Sequence, residues 1–210
     1  MPTLTLQTLM SEATALVGGR LDMSASQVSL YVNMAQLEVA RALPHGEMEA
    51  TVYLSSVTSA TTAAGFPADF DEPIALSRIS AFDTFGYLHL AQVPIRQIDD
   101  AIDSTGTATG SPNRYAIHNQ DIWVYPVPSS ALSLKLRYRK VPADMTALTA
   151  VPSVHTRYHP AILYKTAENL AMRALDAQLA AYYRNTYISF MQATPSTQEV
   201  RTRSERPAPA

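Results

Sequence analysis

Residues 114–140 read RYAIHNQDIWVYPVPSSALSLKLRYRK. The second half alternates strictly. Leu134, Leu136 and Tyr138 fall on one side and Lys135, Arg137 and Arg139 on the other, the pattern of a strand with one buried face. Tyr115, Ile117, Ile122, Val124 and Val127 lead in, and Pro126-Val127-Pro128-Ser129-Ser130 lies between. Proline cannot donate to a ladder, so that segment reads as turn or strand edge. The whole stretch reads as one β-hairpin. Helical patterns flank the β-prone region on both sides. The expected class is therefore α+β: a helical bundle from the N- and C-terminal helices, an inserted and mostly antiparallel β module, and an extended C-terminal tail.

On the N-terminal side, Leu6, Leu9, Met10, Ala13, Leu16 and Val17 recur at helical spacing, and Gly18-Gly19 supplies the left-handed stop. Ser24 and Gln27 make a capping box ahead of Val28, Tyr31, Val32, Ala35 and Val39. From Glu49 the period changes. Strands are expected near 51–58, over Ile74–Phe82 and at Tyr87–Leu90, with a turn within 58–65. Pro94 opens a short helix carrying Ile95, Ile98 and Ile102. Ser104–Pro112, STGTATGSP, is a loop by composition. On the C-terminal side, Pro142–Pro152 is an irregular connector. Two helices follow, from Ala161 to about Leu175 and across 179–191, with Asp176 as break or cap. The tail, STQEVRTRSERPAPA from Ser196, has the composition of a segment that orders only when something holds it. The expected organisation is 1–47 and 143–192 as bundle, 48–142 as β module, and 193–210 as tail.

Composition narrows the function. The 210 residues contain no cysteine, which removes disulfides, thiolate metal sites and thiol catalysis. No apolar run reaches bilayer-spanning length, and the N-terminus has no basic region followed by an apolar stretch. The chain is expected to be cytoplasmic, or made in a cytoplasm and assembled there, with no membrane. The net charge of -2 gives no polyanion-binding signature. Only 16% of residues are charged, against roughly 25% in a typical soluble domain. A chain so poor in charge hides surface in interfaces.

Candidate chemistry is sparse. His155 and His159 are four apart, but Pro160 follows and no third ligand is evident. Asp99, Asp100 and Asp103 form a polar helix side. The glycines have no phosphate-loop spacing, and no serine sits in a nucleophile elbow. No cofactor, metal or catalytic residue is expected. Lys135, Arg137 and Arg139, with Lys140, could track a nucleic-acid backbone; the favoured reading is an exposed strand face or an edge protected by charge. Arg201, Arg203 and Arg206 of the tail could pair with acidic groups on a partner. Tyr158, Tyr164, Tyr182, Tyr183 and Tyr187 fit either an interface or a core margin.

Four segments carry a resemblance: YVNMAQLEVARAL (31–43), GFPADFDEPIAL (65–76), YAIHNQDIWVYPVPSSALSLKLRYRKVPADMT (115–146) and HPAILYKTAENLAMRALDAQLAAYYRNTYISFM (159–191). In this order they resemble bacteriophage head-to-tail adaptor proteins, including those similar to tail tubular protein A. Phe66 stands where that family more often has leucine. The resemblance implies a non-enzymatic virion protein of the neck. It would form a homo-oligomeric ring, usually twelve-fold, between the portal protein and a tail or nozzle protein, and let double-stranded DNA pass. It would place the tail on the portal, with Val200, Arg201, Arg203 and Arg206 as contacts, and Lys135, Arg137 and Arg139 at the lumen or a subunit interface. The alternative is a sequence-independent DNA-binding protein using the basic strand 135–140, whose binding would weaken steeply with salt.

Overall fold

Helical spacing at both chain ends and alternation between them fold as their periods require. In the computed structural model, which describes residues 4–19, 22–57, 61–62, 66–79, 87–106, 108–119 and 121–193, the elements follow in this order. The chain forms α1 (Leu6–Leu16), α2 (Ala25–Ala42), β1 (Glu49–Val57), β2 (Thr61–Thr62), β3 (Phe70–Ile79), β4 (Tyr87–His89), β5 (Ala91–Gln92) and α3 (Ile95–Thr105). It continues with β6 (Thr109–Gly110), β7 (Arg114–His118), β8 (Asp121–Tyr125), β9 (Val127–Pro128), β10 (Leu132–Lys140), α4 (His159–Arg173) and α5 (Ala177–Ala193). Contacts divide it into two compact units: the chain to Met48 together with Val141 onward, and Glu49–Lys140. The class is α+β. The tail from 194 lies outside the described residues.

In the first unit the helix ends follow local chemistry. Thr5 caps α1 by accepting the Thr8 N–H. Ser24 Oγ accepts from Gln27 N–H while Gln27 Oε1 accepts from Ser24 N–H, a complete capping box at α2. Gly18 and Gly19 have positive φ and close α1 with bonds to Ala15 O and Thr14 O. α4 ends by the same motif, from Leu175 N–H to Met172 O and Asp176 N–H to Ala171 O, but its left-handed residue is Leu175 at φ 60. Asp176 then caps α5, its Oδ1 accepting from Leu179 N–H at 2.9 Å.

α4 is buried or half-buried around most of its circumference because it is the central helix, packed against α1, α2 and α5. Leu6, Leu9, Val32, Val39, Met145, Val154, Tyr158 and Ile162 form one cluster; Val17, Val28, Ala167, Leu170, Ala171 and Tyr183 form a second. Each large side chain here contributes roughly 2 kcal/mol over an exposed position. One carboxylate lies inside. Glu168 of α4 is buried and paired with Lys165 (3.0 Å) and with Arg184 of α5 (2.9 Å), while Lys165 also reaches Glu38 of α2 (2.9 Å).

The connector from Val141 to His155 has no regular structure, and neighbours complete its backbone bonds. Asn33 Nδ2 donates to Met145 O and its Oδ1 accepts from Met145 N–H. Buried Gln36 donates from Nε2 to Ala143 O (2.9 Å) and accepts at Oε1 from Ser153 N–H (3.0 Å). The first N–H groups of α1 also serve it: Leu6 donates to Ala150 O and Gln7 to Leu148 O.

The second unit corrects the hairpin reading. The hairpin is β7–β8, closed by a tight turn after His118, with Asn119 at φ 49. β10 leaves it for another sheet, of order β1-β10-β3-β4. The second sheet has order β2-β8-β7-β5, and β6 pairs with β9. Pairing is antiparallel except at β5–β7 and β6–β9. Both sheets feed one core: Leu54, Leu76, Leu134, Leu136 and Tyr138 from the first, Tyr115, Ile122 and Val124 from the second. The prolines that suggested a hairpin turn instead mark the crossover between sheets. The strand expected over 74–82 runs Phe70–Ile79, and β10 is a central strand, not a charged edge.

Three outcomes test this account. Gln36→Leu strands Ala143 O and Ser153 N–H and should cost about 2–4 kcal/mol in a urea melt, since each orphaned buried group costs ~1–3 kcal/mol; a neutral result would mean the connector is held otherwise. Leu175 is 92% exposed, so Leu175→Gly loses no packing and should raise stability by about 1 kcal/mol by relieving the left-handed conformation; lower stability would contradict the strain. The third concerns pH. His159 is fully buried, its Nδ1 accepts from Leu4 N–H (3.2 Å) and its Nε2 faces Val154 O (3.3 Å), which makes it a neutral ring. Burial lowers its pKa, His155 lowers it further, and the bond to Val154 works the other way. The unfolded chain therefore takes up the proton first, and this contribution is whole above about pH 6.5 and lost as pH falls below it. His159→Gln should show a flatter stability profile between about pH 7.5 and about pH 5; an unchanged slope would exclude His159 as the source.

Candidate interaction surfaces

β10 sets the geometry of the open sheet face. Its register places Lys135 between Tyr53 of β1 and Ser77 of β3, Arg137 between Thr51 and Ala75, and Arg139 between Glu49 and Glu72. The three cations do lie on one side, as alternation requires, but carboxylates share it. Arg137 donates from Nε and Nη2 to Glu49, a contact that raises its pKa further. Arg139 Nε lies 4.0 Å from Asp71. A strand that tracked a nucleic-acid backbone would present cations in succession. This face interleaves them with Glu49, Asp71 and Glu72, as complementary cross-strand neighbours do. Lys140, next in the strand, falls opposite Phe70 across a register shift.

On the core side of β10, Tyr138 anchors the GFPADF turn. Its hydroxyl donates to Asp69 Oδ1 at 2.9 Å, and burial together with that bond pushes the phenol up to about 12. Phe70 stacks obliquely on Phe66 (4.1 Å between centroids) and lies 5.6 Å from Tyr138. Phe70 N–H closes the turn onto Pro67 O. The phenylalanine at 66 thus has a packing role that a leucine could also fill.

Other sequence candidates separate. His159 is occupied on both nitrogens, and His155 caps the short helical turn before α4 by accepting from Arg157 N–H. Asp99, Asp100 and Asp103 are exposed on α3. Among the described residues no group of three or more His, Cys, Asp or Glu could hold a metal ion, and no helix is long and apolar enough to cross a membrane. Val200, Arg201, Arg203 and Arg206 lie outside the described residues. Of the five C-terminal tyrosines, Tyr158 is core, Tyr183 is buried and donates to Leu16 O (2.8 Å), Tyr164 and Tyr187 are half-buried, and Tyr182 is 63% exposed.

Tyr182 belongs to a feature that sequence reasoning missed. The exposed positions of α5 are Ala177, Gln178, Ala181, Tyr182, Arg184, Asn185, Ile188, Ser189, Gln192 and Ala193, with Arg184 the one charged residue among them. Arg184, the one ionisable cation of that helix, is engaged with Glu168. Exposed Met172 and Leu175 lie at the turn before α5, beside exposed Arg173, and Leu30 and Met34 make an apolar ridge on α2. The signal was present as the near-absence of charge from 177 to 193. Also missed were Asn33, Gln36 and Glu168, each a polar residue inside an apolar stripe.

No curated protein matches the chain. The family model for the SU10 adaptor protein matches residues 4–209. With nearly its whole length matched, the chain belongs to the SU10 adaptor protein family, a family of structural phage proteins of the head-to-tail junction.

Proposed function

We propose that the chain is the subunit of a closed ring seated between the portal protein and a tail or nozzle protein, in the manner of the adaptors similar to tail tubular protein A. The ring has twelve copies, is assembled in the host cytoplasm, and leaves a passage for double-stranded DNA. The supporting observation is the charge-poor outward face of α5, whose one charged residue, Arg184, is paired with Glu168, together with exposed Met172 and Leu175 before it and Leu30 and Met34 on another helix. A ring built from heterologous contacts needs two different patches on each subunit. Two charge-poor ridges on separate helices meet that need, and depletion of charge with exposed Tyr and Met is the composition of interface cores. In this reading the tail 193–210 docks on the portal through Val200, Arg201, Arg203 and Arg206. The tail is ordered by docking, and its many small contacts are multiplied by the ring. The role is architectural and needs no cofactor. The interleaved carboxylates around Arg137 and Arg139 suit a wall past which DNA slides, because a gripping lumen would hinder ejection.

The first test is native mass of the full chain, alone and with portal. A discrete closed ring, formed alone or on the portal, is the expected result. Tyr182→Glu with Leu30→Glu should leave the melting temperature unchanged, since both side chains are exposed, and abolish the ring. Deleting Ser196–Ala210 should leave the fold intact and abolish portal docking. A truncated chain that still completes necks would overturn the tail assignment, and a monomer indifferent to every virion component would overturn the ring.

A further inference from the structure

The sheet β1-β10-β3-β4 ends in two edge strands, and among the described residues each of them has a strand neighbour on one side only. An edge presents unpaired N–H and C=O groups, and proteins guard such edges with very short strands, proline, lysine or bulges. The edges of the other sheet, β2 and β5, are two residues each. β1 runs for nine. Residues 50–57, ATVYLSSV, contain no proline and no charge. The register of β1 shifts only between Leu54 and Val57, so Glu49–Leu54 is a regular ladder. On its open face Thr51 is exposed and Tyr53 is 60% exposed, while Ala50 and Val52 lie half-buried at the margin of the core. The β4 edge is its complement. Leu88 is 45% exposed, although it shares a cross-strand row with Leu54, Leu134 and Arg78. His89 is exposed in the next row, with Tyr53, Lys135 and Ser77.

We propose that the β4 edge of one copy pairs with the β1 edge of the next, so that the sheet runs on from subunit to subunit. The strand directions allow it. The pairings β1–β10, β10–β3 and β3–β4 are all antiparallel, so β4 runs opposite to β1. A second copy set alongside in the same sense therefore meets the first antiparallel, with its core face on the same side. Carried across row by row, Leu88 falls opposite Leu54 of the neighbour and His89 opposite Tyr53. Leu90, which belongs to the same core, then falls opposite Val52. The apolar row passes through the joint, and it covers Leu88 and Val52. Backbone bonds hold such a strand addition, and the alternating side chains specify its register. β4 supplies only three residues, so each joint is weak and gains from repetition. A second β1 edge is the poorer occupant, because that two-fold pair would leave Leu88 bare. Pairing of β4 with β1 is heterologous, as a ring requires. That the copies close into a ring rests on the adaptor reading; the pairing of the two edges does not.

The chain contains no cysteine, so introduced disulfides can report the joint. Tyr53 and His89 of one copy stand three strand spacings apart, about 14 Å. A disulfide tolerates no more than about 7 Å between Cα atoms. A cross-link in the full-length double variant Tyr53→Cys, His89→Cys therefore joins two copies. Mild oxidation of the assembled protein, alone or on the portal, should give a ladder of covalent oligomers up to the closed ring. Either single variant should give none. Thr51→Cys with His89→Cys samples the register two residues away. Leu88→Lys, at an exposed position, should leave the melting temperature unchanged and abolish the ladder in the double-cysteine background. In the cysteine-free chain it should return the unaltered peptide 49–57 from slow amide exchange to the rate of the monomer, so a folding defect in the cysteine variants still leaves the joint testable. Efficient dimers from Tyr53→Cys alone would overturn β4 as the occupant. A ring by native mass with no ladder in either register, and with exchange of 49–57 indifferent to assembly, would overturn the joint and leave the adaptor reading standing. A ladder from a chain that neither closes nor binds portal would keep the joint and remove the ring. A monomer under every condition would overturn both.

Discussion

The bundle depends on one constraint: an irregular connector must lie against packed helices, and a buried backbone group without a partner is costly. Asn33 and Gln36 resolve this by offering side-chain amides that imitate a strand edge, each giving one donor and one acceptor to the connector. The first turn of α1 resolves the rest. Its leading N–H groups have no partner within the helix, and the carbonyls of Leu148 and Ala150 have none within the connector. They satisfy each other. His159 extends the same logic to Leu4, two residues before α1, accepting from its N–H while its other nitrogen faces Val154 O. The N-terminal and C-terminal halves of the bundle are thereby registered by directional bonds as well as by apolar packing.

The β unit is organised by β10, which has a neighbour on each side. A one-residue slip would exchange Leu134, Leu136 and Tyr138 for Lys135, Arg137 and Arg139 in the core, so its register is strongly specified. Once the register is fixed, Glu49 and Glu72 must stand opposite Arg139, and Glu49 is brought within reach of Arg137. The charge pattern of the open face is thus a consequence of the fold of the opposite face. Cations that look like a track in one dimension become members of a mixed lattice in two.

This is also why the sequence was legible only in part. Helix ends could be read because capping is local: the Ser24–Gln27 box, Gly18-Gly19 and Asp176 act within four or five residues. The alternation of β10 and the α+β class could be read because period survives any choice of partner. Strand pairing could not, because it depends on residues far apart in the chain. Alternating segments on both sides of Pro126–Ser130 suit a hairpin there as well as a crossover. Asn119, which takes the left-handed conformation closing the real hairpin, lacks the glycine that usually advertises such a turn. Asn33, Gln36 and Glu168 were silent for a similar reason: whether a polar residue in an apolar stripe is a flaw or a fastening depends on what the fold brings to it.

The internal use of charge bears directly on assembly. Glu168 is buried, yet Lys165 and Arg184 compensate it, and Lys165 is shared with Glu38 on a third helix. Removing either partner from such a cluster would strand a buried charge, so it fixes the relative rotation of α2, α4 and α5 more than it adds net stability. Rotation of α5 is what aims Tyr182 and Ile188 outward and keeps Tyr183 inward on Leu16 O. The charges of this cluster are therefore spent within the subunit, and the other exposed positions of α5 are uncharged. In a monomer that arrangement would invite unspecific association. In the ring proposed above, it would place the apolar contacts where rigid inner ion pairs have already set their direction, and each weak contact would gain from repetition around the ring.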